Sequence, residues 1–405
     1  MKTHRVITII GWLVSGILLF LWQGKHLPFH YEYLEQFRLF HFSTDYLVEH
    51  CSYPSGLIEY LASFLIQYFS QPYVGAGIIT TLLLFIGIGI QQIFKRIASH
   101  VDLPLAYLLP SLFLLFAGMD FNYHLEGTLA FALTVGLFNA QIRIPRPVLR
   151  IVSGILLSWT LYYVAGPAFL PFALCSVIYE WYKKELSLLY SLLILPVTAL
   201  PACYAYFIQH SDSFRILFLP DAYVNHRVES QSIVYYAWIA LPVLLVLACL
   251  LQRWKKTVSM GVKGVSIAIQ LIAVIVILYQ GNAKYNSSGF NQVKELDYYS
   301  RNQKWDQILN MQLSSNNNIT LTCFKNLAMA QKGILADRGL HHKHLGSKAL
   351  WIDWDQSSTV STLLSDLYYA MGHIALSQRY AFEGVVASEW EVNPYLFLRL
   401  IKTMK

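Results

Sequence analysis

Residues 28–70 read PFHYEYLEQFRLFHFSTDYLVEHCSYPSGLIEYLASFLIQYFS, and the fold turns on how this stretch is placed. It lies between two apolar runs and carries Glu32, Glu35, Asp45, Glu49 and Glu59. Ionised side chains are costly inside a bilayer, so the stretch is too polar to cross one. It reads as an extracytoplasmic platform on the membrane surface. Tyr31, Tyr33, Phe37, Phe40 and Phe42 suit the headgroup level, where amphipathic rings are favoured. Between Leu57 and Phe69, Leu57, Leu61, Phe64, Leu65 and Tyr68 recur at helical spacing, and Glu59, Ser63 and Gln67 form a polar strip. Two placements fit that pattern: a helix lying in the interface plane, or a tilted extension of the second apolar run.

The composition agrees with a membrane protein. The 405 residues are 56% apolar and 15% aromatic, with 13% charged. A soluble globular chain carries about 25% charged residues. The net charge of +7 is spread over short connections between apolar runs, which fits topology better than nucleic acid. No nucleic-acid partner is expected. The five cysteines form no CxxC pair and no metal framework.

A spanning helix needs about 20 mostly apolar residues. Nine candidate runs are present: Val6–Trp22, Tyr73–Ile93, Leu103–Gly118, Gly127–Ala140, Ile151–Ala165, Ala168–Tyr182, Leu186–Phe207, Ile233–Leu251 and Val262–Tyr279. Every second connection holds clustered Lys and Arg. The others, at 23–72, 119–126, 165–167 and 208–231, hold only Lys25, Arg38, Arg215 and Arg227. The positive-inside rule then puts the N-terminus in the cytoplasm and everything after Tyr279 outside. That topology leaves a disulfide between Cys51 and Cys323 open. The expected fold is all-α, a polytopic helical bundle of the inner (plasma) membrane over residues 1–280, with the platform at 23–72.

Residues 281–405 differ in character and read as an extracytoplasmic helical domain, with the tail open to being incomplete at residue 405. A polar linker, GNAKYNSSG, leads into amphipathic segments at Val293–Leu313, Thr320–Arg338, Thr359–Ser377 and Ala381–Ala387. The stretches NLAMAQKGILADRG and LYYAMGHIALSQRYAFEGV resemble tetratricopeptide-type hairpins, in which small residues let helices pack closely. The resemblance implies a protein or peptide partner. A small helical cap over the membrane domain is the alternative. The run HHKH at 341–344 reads either as a metal-binding tract or as an exposed polar loop.

The few acids of the membrane half mark where chemistry would sit. The platform offers Asp45 and Glu35. The turn GMDFNYHLEG offers Asp120, His124 and Glu126, and the connection at 208–231 offers Arg215, Asp221 and Arg227. Asp45 has a second reading. It follows Ser43 and Thr44 ahead of YLVEH, as in the first turn of a helix.

This organisation resembles the C-type glycosyltransferase superfamily, polytopic enzymes that take sugars from lipid-phosphate carriers at the outer face. The resemblance implies catalytic acids at Asp45, Asp120 and Glu126. Glu35, His124, Arg215 and Arg227 would bind substrate, a polyprenyl-phosphate sugar. A carboxylate would serve as general base, and a guanidinium would hold the carrier phosphate. A divalent cation could bridge acids and phosphate. The platform lacks the paired acids many such enzymes carry, and nine runs are fewer than usual. The chain also resembles uncharacterised polytopic proteins of Bacteroidota, in its STDYLVEHCSYPSGLIEYL segment and helical tail. A membrane-anchored scaffold that presents a helical domain to envelope partners is the other reading. A transporter would show an internal repeat and mid-membrane ionisable residues, and neither is evident. There is no phosphate loop, dinucleotide fingerprint, GxSxG or HExxH.

Overall fold

The computed structural model describes residues 2–71, 73–99, 103–183, 188–209, 213–226, 228–253, 260–315, 318–341, 345–350, 352–388 and 393–404. Among them every regular element is helical, apart from one isolated bridge between Tyr123 and Val224. In chain order, α1 (Lys2–His26) leads to α2 (Pro28–Glu35), α3 (Thr44–Cys51) and α4 (Gly56–Ile66). Then come α5 (Val74–Ile97), α6 (Leu109–Ala117), α7 (Leu125–Gln141), α8 (Pro147–Ala165) and α9 (Phe169–Lys183). They are followed by α10 (Leu188–Thr198), α11 (Leu200–Tyr204), α12 (Phe214–Phe218), α13 (Ser232–Arg253) and α14 (Met260–Tyr285). The tail holds α15 (Ser288–Arg301), α16 (Trp305–Asn310), α17 (Ile319–Gln331), α18 (Leu335–Arg338), α19 (Ser358–Ala370), α20 (Ile374–Ala387) and α21 (Pro394–Met404).

Five described stretches are long and apolar enough to cross a membrane: Thr8–His26, Val74–Ile97, Pro147–Lys183, Ser232–Gln252 and Gly264–Tyr285. The described residues of the nine candidate runs lie mostly on helices, but several of these are too short or interrupted to qualify alone. The helix α6 has 9 residues and α7 has 17. The run at 186–207 carries Pro196 inside α10 and Pro201 near the start of α11, and each proline removes a backbone donor. The long stretch Pro147–Lys183 is two helices, α8 and α9, packed on each other across a 3-10 turn. Gly166 makes that turn with φ of 65°, a conformation that costs a residue with a side chain.

The chain divides into two compact units. The first comprises residues 1–21, 41–62 and 77–285. Its centre is α7, α8, α9 and α13, with Phe131, Phe138, Phe169 and Phe172 fully buried. The Pro147–Lys183 stretch is 72% buried, whereas Thr8–His26 is 11% and Gly264–Tyr285 is 6% buried. Exposed apolar side chains run along α1 and α14. Buried polar groups in this unit mostly bond to backbone carbonyls. The Asn139 amide donates to Gly89 O at 2.8 Å and the Ser111 hydroxyl to Leu83 O at 2.8 Å. That satisfies them where no water reaches. An ion pair with both side chains buried is also present. Arg150 donates to both Glu180 oxygens, at 2.5 and 2.8 Å, with residue exposures of 3% and 2%.

The second unit comprises residues 22–40, 63–76 and 286–405. Two segments of the platform stretch therefore cluster with the tail, across the boundary at 280 that the composition suggests. Phe29 lies against Tyr298 and Tyr299, with ring centroids 5.4 and 5.5 Å away. Tyr33 shares a hydrogen bond with Thr359, and Arg38 donates to the Ser63 hydroxyl at 3.0 Å. The core is Leu296, Ile308, Leu321, Phe324, Leu327 and Leu363. The side chains of Ser287, Asn318 and Ser357 each accept a backbone N–H at a helix start, which satisfies donors the helix leaves orphaned.

Several sequence expectations are corrected. The helix expected at Val293–Leu313 breaks at Gln303, where φ is 55°, into α15 and α16. The one expected at Thr359–Ser377 turns at Gly372, with φ of 78°, into the hairpin α19–α20. The helix α4 ends at Ile66 and is separated from α5, so it is no extension of the second run. Cys51 and Cys323 are both free thiols. Residues 342–344 of the HHKH run lie outside the described residues.

Candidate functional site

At one end of the α7–α9 helices, four connections of the first unit meet. The N–H of Ser55 donates to Tyr163 O at 3.0 Å, that of His124 to Tyr223 O at 2.9 Å, and that of Asn225 to Asn122 O at 2.9 Å. The Tyr223 hydroxyl donates to Ala165 O. These bonds join the turn 119–126 to the 220–231 connection as a short antiparallel pairing. Gly127 permits the close approach. A Cβ there would lie 2.4 Å from the Tyr123 hydroxyl and 2.9 Å from the Tyr223 Cβ.

The acids of this end are held in different ways. Asp120 is engaged on both oxygens: Oδ1 accepts from the Asn122 N–H at 2.8 Å, and Oδ2 accepts from the Gln231 amide. Glu126 sits in the first turn of α7 and is 6% exposed. His124 is the N-cap residue of α7, with no side-chain bond to that helix end. Asp221 is buried, and its Oδ2 accepts from Arg215 Nε at 2.9 Å and the Tyr235 hydroxyl at 2.6 Å. Burial pushes the Asp221 carboxyl up, but hydrogen bonds from Ser230, Tyr235 and Arg215 outweigh it and hold it below the ordinary aspartate value. Arg215 itself is mostly exposed.

Structure thus brings together Asp120, His124, Glu126 and the Arg215–Asp221 pair on two paired connections. Asp45 takes no part in the bonds described above. It is exposed in the first turn of α3, where the Ser43 hydroxyl accepts from the Tyr46 N–H at 3.2 Å. That matches the helix-start reading of Ser43, Thr44 and Asp45. Glu35 belongs to the other compact unit, at the end of α2. There burial raises its carboxyl and Arg301 partly offsets it. Arg227 lies outside the described residues.

The space at this end is small. A cavity of about 10 Å³ lies beside Asp120, Asn122, Tyr123, Glu229 and Gln231, room for about one water. Among the described residues no three His, Cys, Asp or Glu side chains are arranged to hold a metal ion. A divalent cation bridging carboxylates therefore finds no ready-made cradle among them.

The second unit carries its own charged core, which local sequence patterns did not mark. Arg301 Nε pairs with Asp297 Oδ2 at 3.0 Å, and Arg399 Nη2 pairs with Asp366 Oδ1 at 2.6 Å. The Tyr395 hydroxyl donates to Asp366 at 2.9 Å, and Arg399 lies 4.0 Å over the Tyr369 ring. Burial pushes both aspartates up, and the guanidinium groups offset part of that. In the first unit the missed pair is Arg150–Glu180. Its signal was present as a lone acid, Glu180, inside an apolar run, where an ionisable group calls for a partner.

A family model described as "Family of unknown function (DUF6057)" matches residues 3–404. No curated protein and no solved structure matches the chain.

Proposed function

The chain belongs to this family of unknown function, and from that premise we propose that it is a multi-pass scaffold that presents a helical domain to protein partners in the cell envelope. The observation that carries this reading is the second unit. Its tail supplies two apolar clusters and two ion pairs with buried aspartates, and residues 22–40 and 63–76 cluster with it. Such a body holds a defined surface, as a recognition module requires. Its α19–α20 hairpin, turned at Gly372 and stacked through Tyr368 and Tyr380 at 5.4 Å, supports a tetratricopeptide-like use of that surface.

The finer topology is part of the proposal. Nine membrane segments, a cytoplasmic N-terminus and an inner-membrane location follow from the charge alternation. In support, Ser55, the 119–126 turn, Ala165 and residues 223–225, all from weakly basic connections, are bonded at one end of the first unit. At the other end of α7, Arg143 Nη2 donates to Gln92 Oε1 at 3.3 Å and Arg150 Nη1 donates to Ile144 O at 3.1 Å. Membrane lipid is the surrounding partner in either reading.

A second reading has one observation in its favour. The turn bearing Asp120, His124 and Glu126 is paired to the connection bearing Arg215 and Asp221. This arrangement supports a transferase acting on a polyprenyl-phosphate sugar. One experiment separates the two. Full-length protein in lipid nanodiscs is incubated with polyprenyl-phosphate sugar, and products are read by mass spectrometry. In parallel, photo-crosslinkers are placed at exposed Phe382 and Phe397 in cells. The scaffold predicts one reproducible protein adduct and no turnover. Turnover that is lost in Asp120→Asn and Glu126→Gln would replace the scaffold with the transferase.

A further inference from the structure

The second unit contains a cavity of about 180 Å³ that neither function uses. Its lining includes Lys25, His26, His30, Asn291, Lys294 and Glu295. Lys294 is 2% exposed, and its Nζ lies 2.7 Å from His30 Nδ1. With Lys294 as an ammonium, which has only donors, Nδ1 accepts and the ring N–H on Nε2 is left to donate. The one acid of the lining, Glu295, already accepts from the Tyr299 hydroxyl at 2.9 Å.

Position narrows the occupant. Lys25 and His26 form the last turn of α1. They end the apolar run Thr8–His26, which is only 11% buried and so is left to lipid along its length. Cations at the end of such a run lie at headgroup level. Liquid water takes about 30 Å³ per molecule, so the cavity has room for a tetrahedral phosphate with its ester oxygen. Ammonium and imidazole donors suit phosphate oxygens, where charge-assisted bonds are strongest.

We propose that this cavity binds a phosphate group, carried either by an anionic lipid headgroup or by a free phosphate. The site is independent of any protein partner of the same unit, and of turnover at the Asp120 end.

The test uses the full chain. Nanodiscs are prepared from phosphatidylcholine alone and from phosphatidylcholine with phosphatidylglycerol, and lipid retained after mild extraction is counted by native mass spectrometry. Inorganic phosphate is titrated separately in the phosphatidylcholine discs and followed by phosphorus NMR line broadening. Lys25→Ala/His26→Ala changes exposed residues and leaves the core intact. Lys294→Gln probes the buried end. Lys348→Ala, on an exposed lysine paired with Asp353, controls for lost charge alone. A cation near a headgroup contributes roughly fivefold in affinity, so the double variant is expected to lose at least that, and the control none. Retained phosphatidylglycerol that falls with Lys25→Ala/His26→Ala, without phosphate broadening, identifies a lipid site. Broadening that falls with the same variant identifies a free phosphate site. Absence of both signals in the native protein overturns the proposal. So does equal loss in the double variant and in Lys348→Ala.

Discussion

The two compact units bury charge differently. The first holds the buried Arg150–Glu180 pair at a helix end, among groups bonded to backbone carbonyls, and a second pair, Arg215–Asp221, whose arginine is exposed. The exterior helices α1 and α14 carry apolar side chains outward. The second buries two aspartates with two arginines inside an ordinary Leu- and Phe-rich core. The long apolar helices of the first unit suit a lipid surrounding. Where lipid covers the outside, apolar side chains gain nothing by turning inward, so interior specificity comes from small residues and neutral hydrogen bonds. In the second unit the Arg399–Asp366 pair ties α21 to α19, while Asp297 and Arg301 pair within α15.

Free cysteines report on each unit separately. Cys175 is buried in the first, Cys323 in the second, and Cys51 is exposed. The largest effect is expected from Arg150→Ala. It strands Glu180 at 2% exposure, and breaking a buried pair costs about 3–5 kcal/mol. Heating should then expose Cys175 to thiol reagents well before Cys323. Equal exposure of the two would end the claim that the units open separately. Next comes Arg399→Ala, which strands Asp366 and removes the cap over Tyr369. Its partners are slightly more open, so a cost near about 3 kcal/mol is expected, with Cys323 exposed first. Asp366→Asn keeps an acceptor for Tyr395 and should cost less. A third pair of variants adds one methyl to each unit. A Cβ at Gly89 would meet Val135 at 2.5 Å, and one at Gly384 would meet Leu396 at 2.6 Å. Each should cost about 1–3 kcal/mol. The flexible Leu396 gives way more readily than β-branched Val135, so Gly89→Ala should be the worse of the two by melting temperature.

The same contrast explains what could be read from the sequence. Hydropathy alone marked α1, α5, α13 and α14, because lipid-facing helices are apolar on most sides. Ser43, Thr44 and Asp45 announced the start of α3 through ordinary capping chemistry. The tail hairpin was visible in its small residues, though its turn at Gly372 was not placed. The clustering of residues 22–40 with 286–405 was invisible. It rests on contacts such as His30–Lys294 and Tyr33–Thr359, more than 250 residues apart, and no local period encodes them. The candidate site was half legible. Acids were rare enough to point to the Asp120–Glu126 turn, and Arg215 and Asp221 stood out in the 208–231 connection, but the backbone pairing of the two was not legible. The neutral residues that bind it together, Gln231, Tyr223 and Gly127, carried no sign of their role.

The smallest expected effect is also the sharpest test of the contrast, because its sign differs between the units. In the second unit Glu32, Glu35, Asp297 and Asp366 all have carboxyls raised by burial. An acid whose folded value is raised binds its proton more tightly when folded. Its contribution is fully present below the unfolded value and is lost as pH rises through the folded one. The second unit should therefore be more stable at pH 5 than at pH 8. In the first unit Asp221 is held below its ordinary value of 3.8. Its contribution is present above that value and is lost only as pH falls through the lower folded one, so it is constant between pH 5 and 8. Cys323 protection, normalised to exposed Cys51, should fall from pH 5 to pH 8, while Asp221 gives Cys175 protection no slope over that range. A Cys323 protection that rises with pH would mean the arginines, and not burial, set the charge state of that core. The two units would then bury charge on the same terms.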